Sequence, residues 1–166
     1  DEKILEKILN DFSTDFWRKH DKMMAAKFGF NEVLKNDDQF FTDAQKIMED
    51  LKIDYTLFFN KLETLKKDTD LKSHFDNIFY NNLTDEQFAV FENFIQSYFE
   101  RLKLNTISET ESKQLMQQNN PKFVLRNYLL FECNNEINDG KRDLLNKLLT
   151  ALENPYTDIY PEFSQK

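Results

Sequence analysis

The sequence predicts an all-α fold: an irregular multi-helix bundle of about seven or eight helices with an extended C-terminal tail. Three observations point there. Only two glycines and three prolines occur in 166 residues, too few for hairpin turns, crossovers and phosphate loops that need unusual backbone angles. Apolar residues recur at helical spacing along most of the chain. Two capping boxes, Thr84 with Gln87 and Ser108 with Glu111, mark helix starts, because each pair can satisfy the free N–H groups of a first turn.

The length suits about one domain with a real core, and seventeen phenylalanines supply much of its mass. We read residues 1–153 as one helical domain and 154–166 as a tail. From Glu2 to about Lys27 the apolar positions are Leu5, Ile8, Leu9, Phe12, Phe16, Trp17, Met23 and Met24, a helix that Gly29 can end cheaply. Asn31 to Asp38 forms a polar connection. A second helix, about Asp38 to Leu51, carries Phe40, Phe41, Ala44, Ile47 and Met48. A third follows Asp54, which either caps it or pairs a cation inside. Lys66 to Asp70 is charged and exposed, and Leu71, Phe75, Ile78 and Phe79 mark a short fourth helix. Thr84 opens a long helix bearing Phe88 to Leu102, and Ser108 opens a shorter one ending near Gln118.

The central helix is expected from Pro121 to about Asn138, with Asn120 as its cap and Pro121 at the first position. It is apolar on nearly every side, through Phe131, Cys133 and Ile137, which predicts burial on several faces. Arg126 and Asn127 then form a polar clamp, since a buried charge and amide must both be paired. The last helix, Lys141 to Glu153, has Leu144, Leu145, Leu148, Leu149 and Leu152 on one stripe. Pro155 and Pro161 keep the tail extended, leaving Tyr156, Tyr160 and Phe163 to lie against a surface. The apolar stripes are read as core.

A net charge of −8 argues against a nucleic-acid surface, which needs clustered Lys and Arg. No apolar run has the length of a membrane span and no signal peptide is visible. The start at Asp1, directly in helical sequence, reads as a piece of a longer protein. The single cysteine, Cys133, excludes an internal disulfide and reads as a buried, inert thiol. Neither His20 nor His74 has a close Cys or His partner, and nothing has zinc spacing. Asp37–Asp38 and Asp68–Asp70 sit beside turns, where Asp caps more readily than it binds magnesium. No glycine-rich phosphate motif can exist with two distant glycines. No catalytic, cofactor-binding or metal residue is therefore assigned. The candidates for a structural or interdomain role are Asp54, Asn120, Arg126 and Asn127. Arg126 either reaches a ligand or partner domain, or pairs with an acid such as Asp54; the second is favoured because no other catalytic group accompanies it.

Several separated motifs share a further likeness. Met24-Ala25-Ala26-Lys27-Phe28-Gly29-Phe30 resembles a Met…Lys-Leu-Gly-Leu pattern, and Asp54-Tyr55-Thr56 with Phe58, Phe59 and Leu62 resembles an Asp-Tyr-Thr…Phe…Leu pattern. Phe94, Tyr98 and Arg101 follow a Trp…Tyr…Arg pattern with Phe in place of Trp. Asn120 to Leu129 is similar to Asn-Pro-Lys-Tyr/Phe-Val-Leu-Arg-Asn-Tyr/His-Leu, and Leu152, Asn154, Pro155 and Tyr156 come at the expected distance. In this order they resemble the C-terminal region of the selenoprotein O family, from about Phe12 to Tyr156. The resemblance implies a kinase-like parent that binds ATP and a divalent metal, magnesium, and transfers AMP to Ser, Thr or Tyr of protein substrates. The family's nucleotide and metal residues lie in an upstream core, so none is carried over and the fragment alone is expected to be inactive. Residues 156–166 contain no cysteine, so redox coupling through the tail is not implied. Its implied partners are the upstream core and the parent's protein substrates, with no nucleic acid or membrane. The implied compartment is the cytoplasm for a bacterial source, with the mitochondrion open for a eukaryotic one. The alternative is a free-standing helical interaction module offering a groove to a partner.

Overall fold

The computed structural model describes residues 2–163, and within them eight α-helices occur with no strand. They are α1 (Glu2–Lys27), α2 (Asp37–Asp50), α3 (Tyr55–Leu62), α4 (Leu71–His74), α5 (Asp85–Leu102), α6 (Glu109–Asn119), α7 (Asn127–Asn138) and α8 (Asp143–Glu153). A 3-10 turn, Pro161–Phe163, follows.

Helix ends obey local chemistry. Gly29 takes φ +76°, Phe30 N–H donates to the Ala25 carbonyl at 2.8 Å and Gly29 N–H to that of Ala26 at 3.0 Å. This is the paired closure that a left-handed residue permits at a helix end. Lys52 ends α2 the same way at φ 51°, with Ile53 N–H on the Met48 carbonyl at 2.8 Å, although a side chain there costs roughly 1–2 kcal/mol. Both predicted capping boxes form. The fourth helix is shorter than its apolar spacing suggested: it stops at His74, because Ile78 and Phe79 turn back to α2. Asp54 N–H donates to the Ile78 carbonyl at 2.8 Å, and Tyr80 N–H to that of Lys52 at 3.0 Å.

The core divides in two. The larger part is built on phenylalanine, with Phe28, Phe30, Phe58, Phe59, Phe75 and Phe91 almost fully buried. Phe28 is its hub, with ring centroids 4.9 Å from Phe59, 5.1 Å from Phe40 and 5.7 Å from Phe30. Each such pair adds roughly 0.5–1.5 kcal/mol beyond area burial. The smaller part gathers Phe123, Leu129, Cys133, Leu148, Ala151 and Phe163, and α7 and α8 pack on each other around it.

Three expectations are corrected here. Residues 121–126 are not helical; Lys122 and Phe123 N–H groups both donate to the Pro155 carbonyl, at 2.7 and 3.0 Å. A pairing made through space has overridden the Asn-Pro start signal, and Asn120 ends α6 instead of opening α7. Nor is α7 central: Leu130, Phe131 and Ile137 are exposed, Phe131 by 69%. The stripe of α1 is not core either. Ile4, Leu5, Ile8, Leu9, Phe12, Phe16 and Trp17 all face solvent, and burial begins only at Met24 and Ala25. Periodicity reports that a helix has an apolar face, not what covers it. The tail turns after Asn154 and buries Phe163 with its ring 5.9 Å from Phe123. Residues 164–166 of the expected tail lie outside the described residues.

Candidate functional site

Asp54 precedes α3, and its extended backbone (φ −70°, ψ 115°) aims the carboxylate back over the first turn. One oxygen accepts the Leu57 N–H at 3.0 Å, the ordinary capping bond. The same carboxylate meets Arg126 across 72 positions of chain: Nη2 donates to Oδ1 at 3.0 Å and Nη1 lies 2.8 Å from Oδ2. Tyr80 Oη donates to Oδ2 at 2.7 Å. Both open readings of Asp54, cap and cation partner, therefore hold at once. Burial pushes the Asp54 carboxyl up, but the Arg126, Leu57 and Tyr80 hydrogen bonds outweigh it and hold its pKa below the usual carboxylate value. The hydrogen bond from Tyr80 to the anionic carboxylate raises the tyrosine pKa, and the bond to Asp54 raises that of Arg126.

Asn127 does not join this clamp; it is exposed at the start of α7. Asn120 sits elsewhere, beside the end of α1, where its amide donates to the Lys27 carbonyl at 2.8 Å. It is 1% exposed, and its Oδ1 has no hydrogen-bond partner among the described residues.

Lys27, which sequence reasoning quoted only within a motif, is the least expected member. It is 7% exposed and its Nζ lies 4.6 Å from the Phe59 ring centroid and 5.1 Å from that of Tyr55. It donates to the Asn119 carbonyl at 3.2 Å. Burial pulls its pKa down to about 8. Aromatic faces attract a cation but do not replace its hydration. Lys27, Tyr55, Thr56, Phe59, Asn120, Pro121 and Val124 line a small cavity of about 110 Å³. The Met24–Phe30, Asp54–Leu62 and Asn120–Leu129 segments thus meet in one place.

A second buried pair was missed. Arg101 Nε and Nη2 donate to the two Asp37 oxygens at 2.6 and 2.8 Å, Nη2 also to the Glu32 carbonyl at 2.8 Å, and the guanidinium lies 4.2 Å from the Phe30 ring centroid. Asp37 also accepts the Leu34 N–H at 2.8 Å. The partners are 64 positions apart, so only the three-residue Phe94, Tyr98, Arg101 spacing hinted at a role. Asp70 caps α4 by accepting the Ser73 N–H at 3.3 Å.

These groups position helices. Their carboxylates are already satisfied by cations and N–H donors, which leaves none free to act as a base. Among the described residues no group of three His, Cys, Asp or Glu side chains could hold a metal ion, and no helix is long and apolar enough to cross a membrane.

The family model for "Protein adenylyltransferase SelO" matches residues 1–153. A protein of Cytophaga hutchinsonii named "Protein nucleotidyltransferase YdiU" is 33% identical over 161 residues, covering 94% of this chain and 30% of the relative. Proteins of that name from Flavobacterium johnsoniae and Photobacterium profundum are 28% and 30% identical, covering 97% and 99% of this chain and 32% and 33% of their own lengths. The chain spans about a third of the length of the curated relatives it matches.

Proposed function

The chain belongs to the SelO protein adenylyltransferase family, and from that premise we propose that it is the helical C-terminal portion of a longer member, docked on an upstream kinase-like core. In this reading the upstream region binds ATP and a divalent metal, magnesium, and transfers AMP to protein hydroxyls. The helical portion braces it. The observation that carries the reading is the apolar stripe of α1, from Ile4 to Trp17, exposed along most of a 26-residue helix. An apolar face of this extent usually marks an interface, and the family match includes all of it. The rest of the relatives' length is the natural cover. Phosphoryl and nucleotidyl transfer need cations and backbone donors placed around the phosphates. The two glycines, Gly29 and Gly140, each close a helix, so this sequence supplies no phosphate loop.

The test uses labelled ATP, magnesium and a protein acceptor. The chain alone should transfer nothing; metal-dependent transfer by it would sink the brace reading. Trp17 is the single tryptophan and is 56% exposed. Adding the upstream region of a family member without tryptophan should shift its emission to the blue. An unchanged spectrum with no complex would mark a free-standing interaction module instead.

A further inference from the structure

Away from the Asp54 clamp, a groove of about 490 Å³ opens between the end of α3, α5 and α6. That volume lies within the range of ligand sites. Leu62, Leu65, Phe99 and Met116 give it an apolar floor. Four lysines against three glutamates line its rim, a small surplus of positive charge in a chain of net charge −8. Of the four rim lysines, Lys103 is held by Glu100 at 2.7 Å, and the Glu63 carboxylate on the same rim is taken up by Lys122. Lys66, Lys67 and Lys113 have no carboxylate within ion-pair distance among the described residues, although the Glu100 pKa is lowered by the Lys103 hydrogen bond and also by the Lys67 charge, and Glu109 is the acidic residue left on the lining. Asn105 also lines the groove, but its Oδ1 is closed to solvent. Asn105 donates its amide N–H to the Gly29 carbonyl at 2.8 Å, which leaves its buried Oδ1 without a partner among the described residues.

We propose that this groove binds an acidic, amphipathic peptide segment of a partner protein. Apolar side chains of the segment lie on the floor, and its carboxylates face Lys66, Lys67 and Lys113. Charge complementarity selects an acidic partner in an otherwise acidic molecule. Three lysines without a carboxylate at ion-pair distance suit several carboxylates on one segment, which a peptide carries and a fatty acid does not. The proposal does not depend on the docking of α1.

The experiment measures fluorescence anisotropy of a labelled dodecapeptide of leucine, phenylalanine and glutamate titrated with the full chain. Controls are the same peptide with lysine for glutamate and the triple variant Lys66→Glu, Lys67→Glu, Lys113→Glu, whose exposed sites leave the fold intact. Saturable binding of the glutamate peptide, weakened at least tenfold by the triple variant and by 0.5 M salt, is expected. The lysine peptide should bind at least tenfold more weakly to the unaltered chain. The α1 stripe is unchanged in the variant, so peptide held there would show as binding that charge reversal does not touch. Absent binding, equal binding of both peptides, or an affinity indifferent to the triple variant each overturns the proposal. Unchanged thermal midpoint and circular dichroism verify the variant's fold.

Discussion

Replacing either half of the Asp54–Arg126 pair should be costly, and replacing both should cost less than the sum. The Asp54 side chain is 2% exposed and that of Arg126 is 21% exposed. Asp54→Asn keeps a capping oxygen for Leu57 but strands a partly buried guanidinium, costing about 3 kcal/mol, the low end for breaking such a pair because Arg126 can still reach water. Arg126→Met leaves a carboxylate with two donors, Leu57 N–H and Tyr80 Oη, and should also cost about 3 kcal/mol. The double variant then buries an amide beside a thioether and should lose about 4 kcal/mol, a coupling of about 2 kcal/mol. Urea unfolding at pH 7, with an unchanged slope, measures all three. Additivity would refute the idea that the two residues are energetically one unit. The pair also sets an acid limit. The folded-state pKa of Asp54 is depressed, so its contribution is complete above the unfolded carboxylate value and is lost as pH falls through the folded one. Asp54→Asn should flatten that limb of the stability curve.

Lys27→Met should leave stability at pH 7 unchanged or raise it by about 1 kcal/mol, because a buried charge without a carboxylate partner gives way to an apolar isostere. The folded pKa of Lys27, about 8, lies below its ordinary 10.5, so the unfolded state holds more protons between those values and stability rises with pH there. Thermal midpoints at pH 7 and 10 should show that rise in the parent and lose part of it in Lys27→Met. Gly29→Ala should cost about 3 kcal/mol, from a left-handed backbone and crowding combined, since its Cβ would sit 2.5 Å from Ser112 Oγ. Gly140→Ala, with φ +77° but nothing within 4 Å of the added carbon, should cost only about 1 kcal/mol. Equal losses in denaturant would count against the close approach of α1 to α6. Lys52→Gly should gain about 1 kcal/mol by relieving the positive φ at the end of α2.

What was legible in the sequence was mostly local. The boxes at Thr84 and Ser108 read correctly because capping joins residues three apart. The Asp54–Arg126 pairing was anticipated from burial logic: a charge expected inside the fold demands an opposite charge, and Asp54 was a suitable acid. Asn120 and Pro121 failed because the bonds of 120–126 run to Lys27 and Pro155, far along the chain. Lys27 escaped notice as a buried cation because a lysine near a helix end is ordinarily solvated, and only the Tyr55 and Phe59 rings make the difference. Arg101 and Asp37 left no signal beyond one motif spacing. The α1 stripe was legible as a stripe and misread as core, since the amphipathic pattern of a helix is the same whether its cover is present or lies in another region.

The division of the core has a kinetic consequence. The smaller cluster meets the phenylalanine core across a border of polar links: Arg126 on Asp54, Lys122 on Glu63, and Asn60 donating to the Pro121 carbonyl at 3.2 Å. Salt and acid weaken such links while leaving stacked rings untouched. At high salt, or in acid strong enough to protonate Asp54, amides of α7 and α8 should therefore exchange with deuterium through a shared opening that keeps α3 and α5 closed. The C-terminal helices would behave as a hinged flap on a rigid aromatic block.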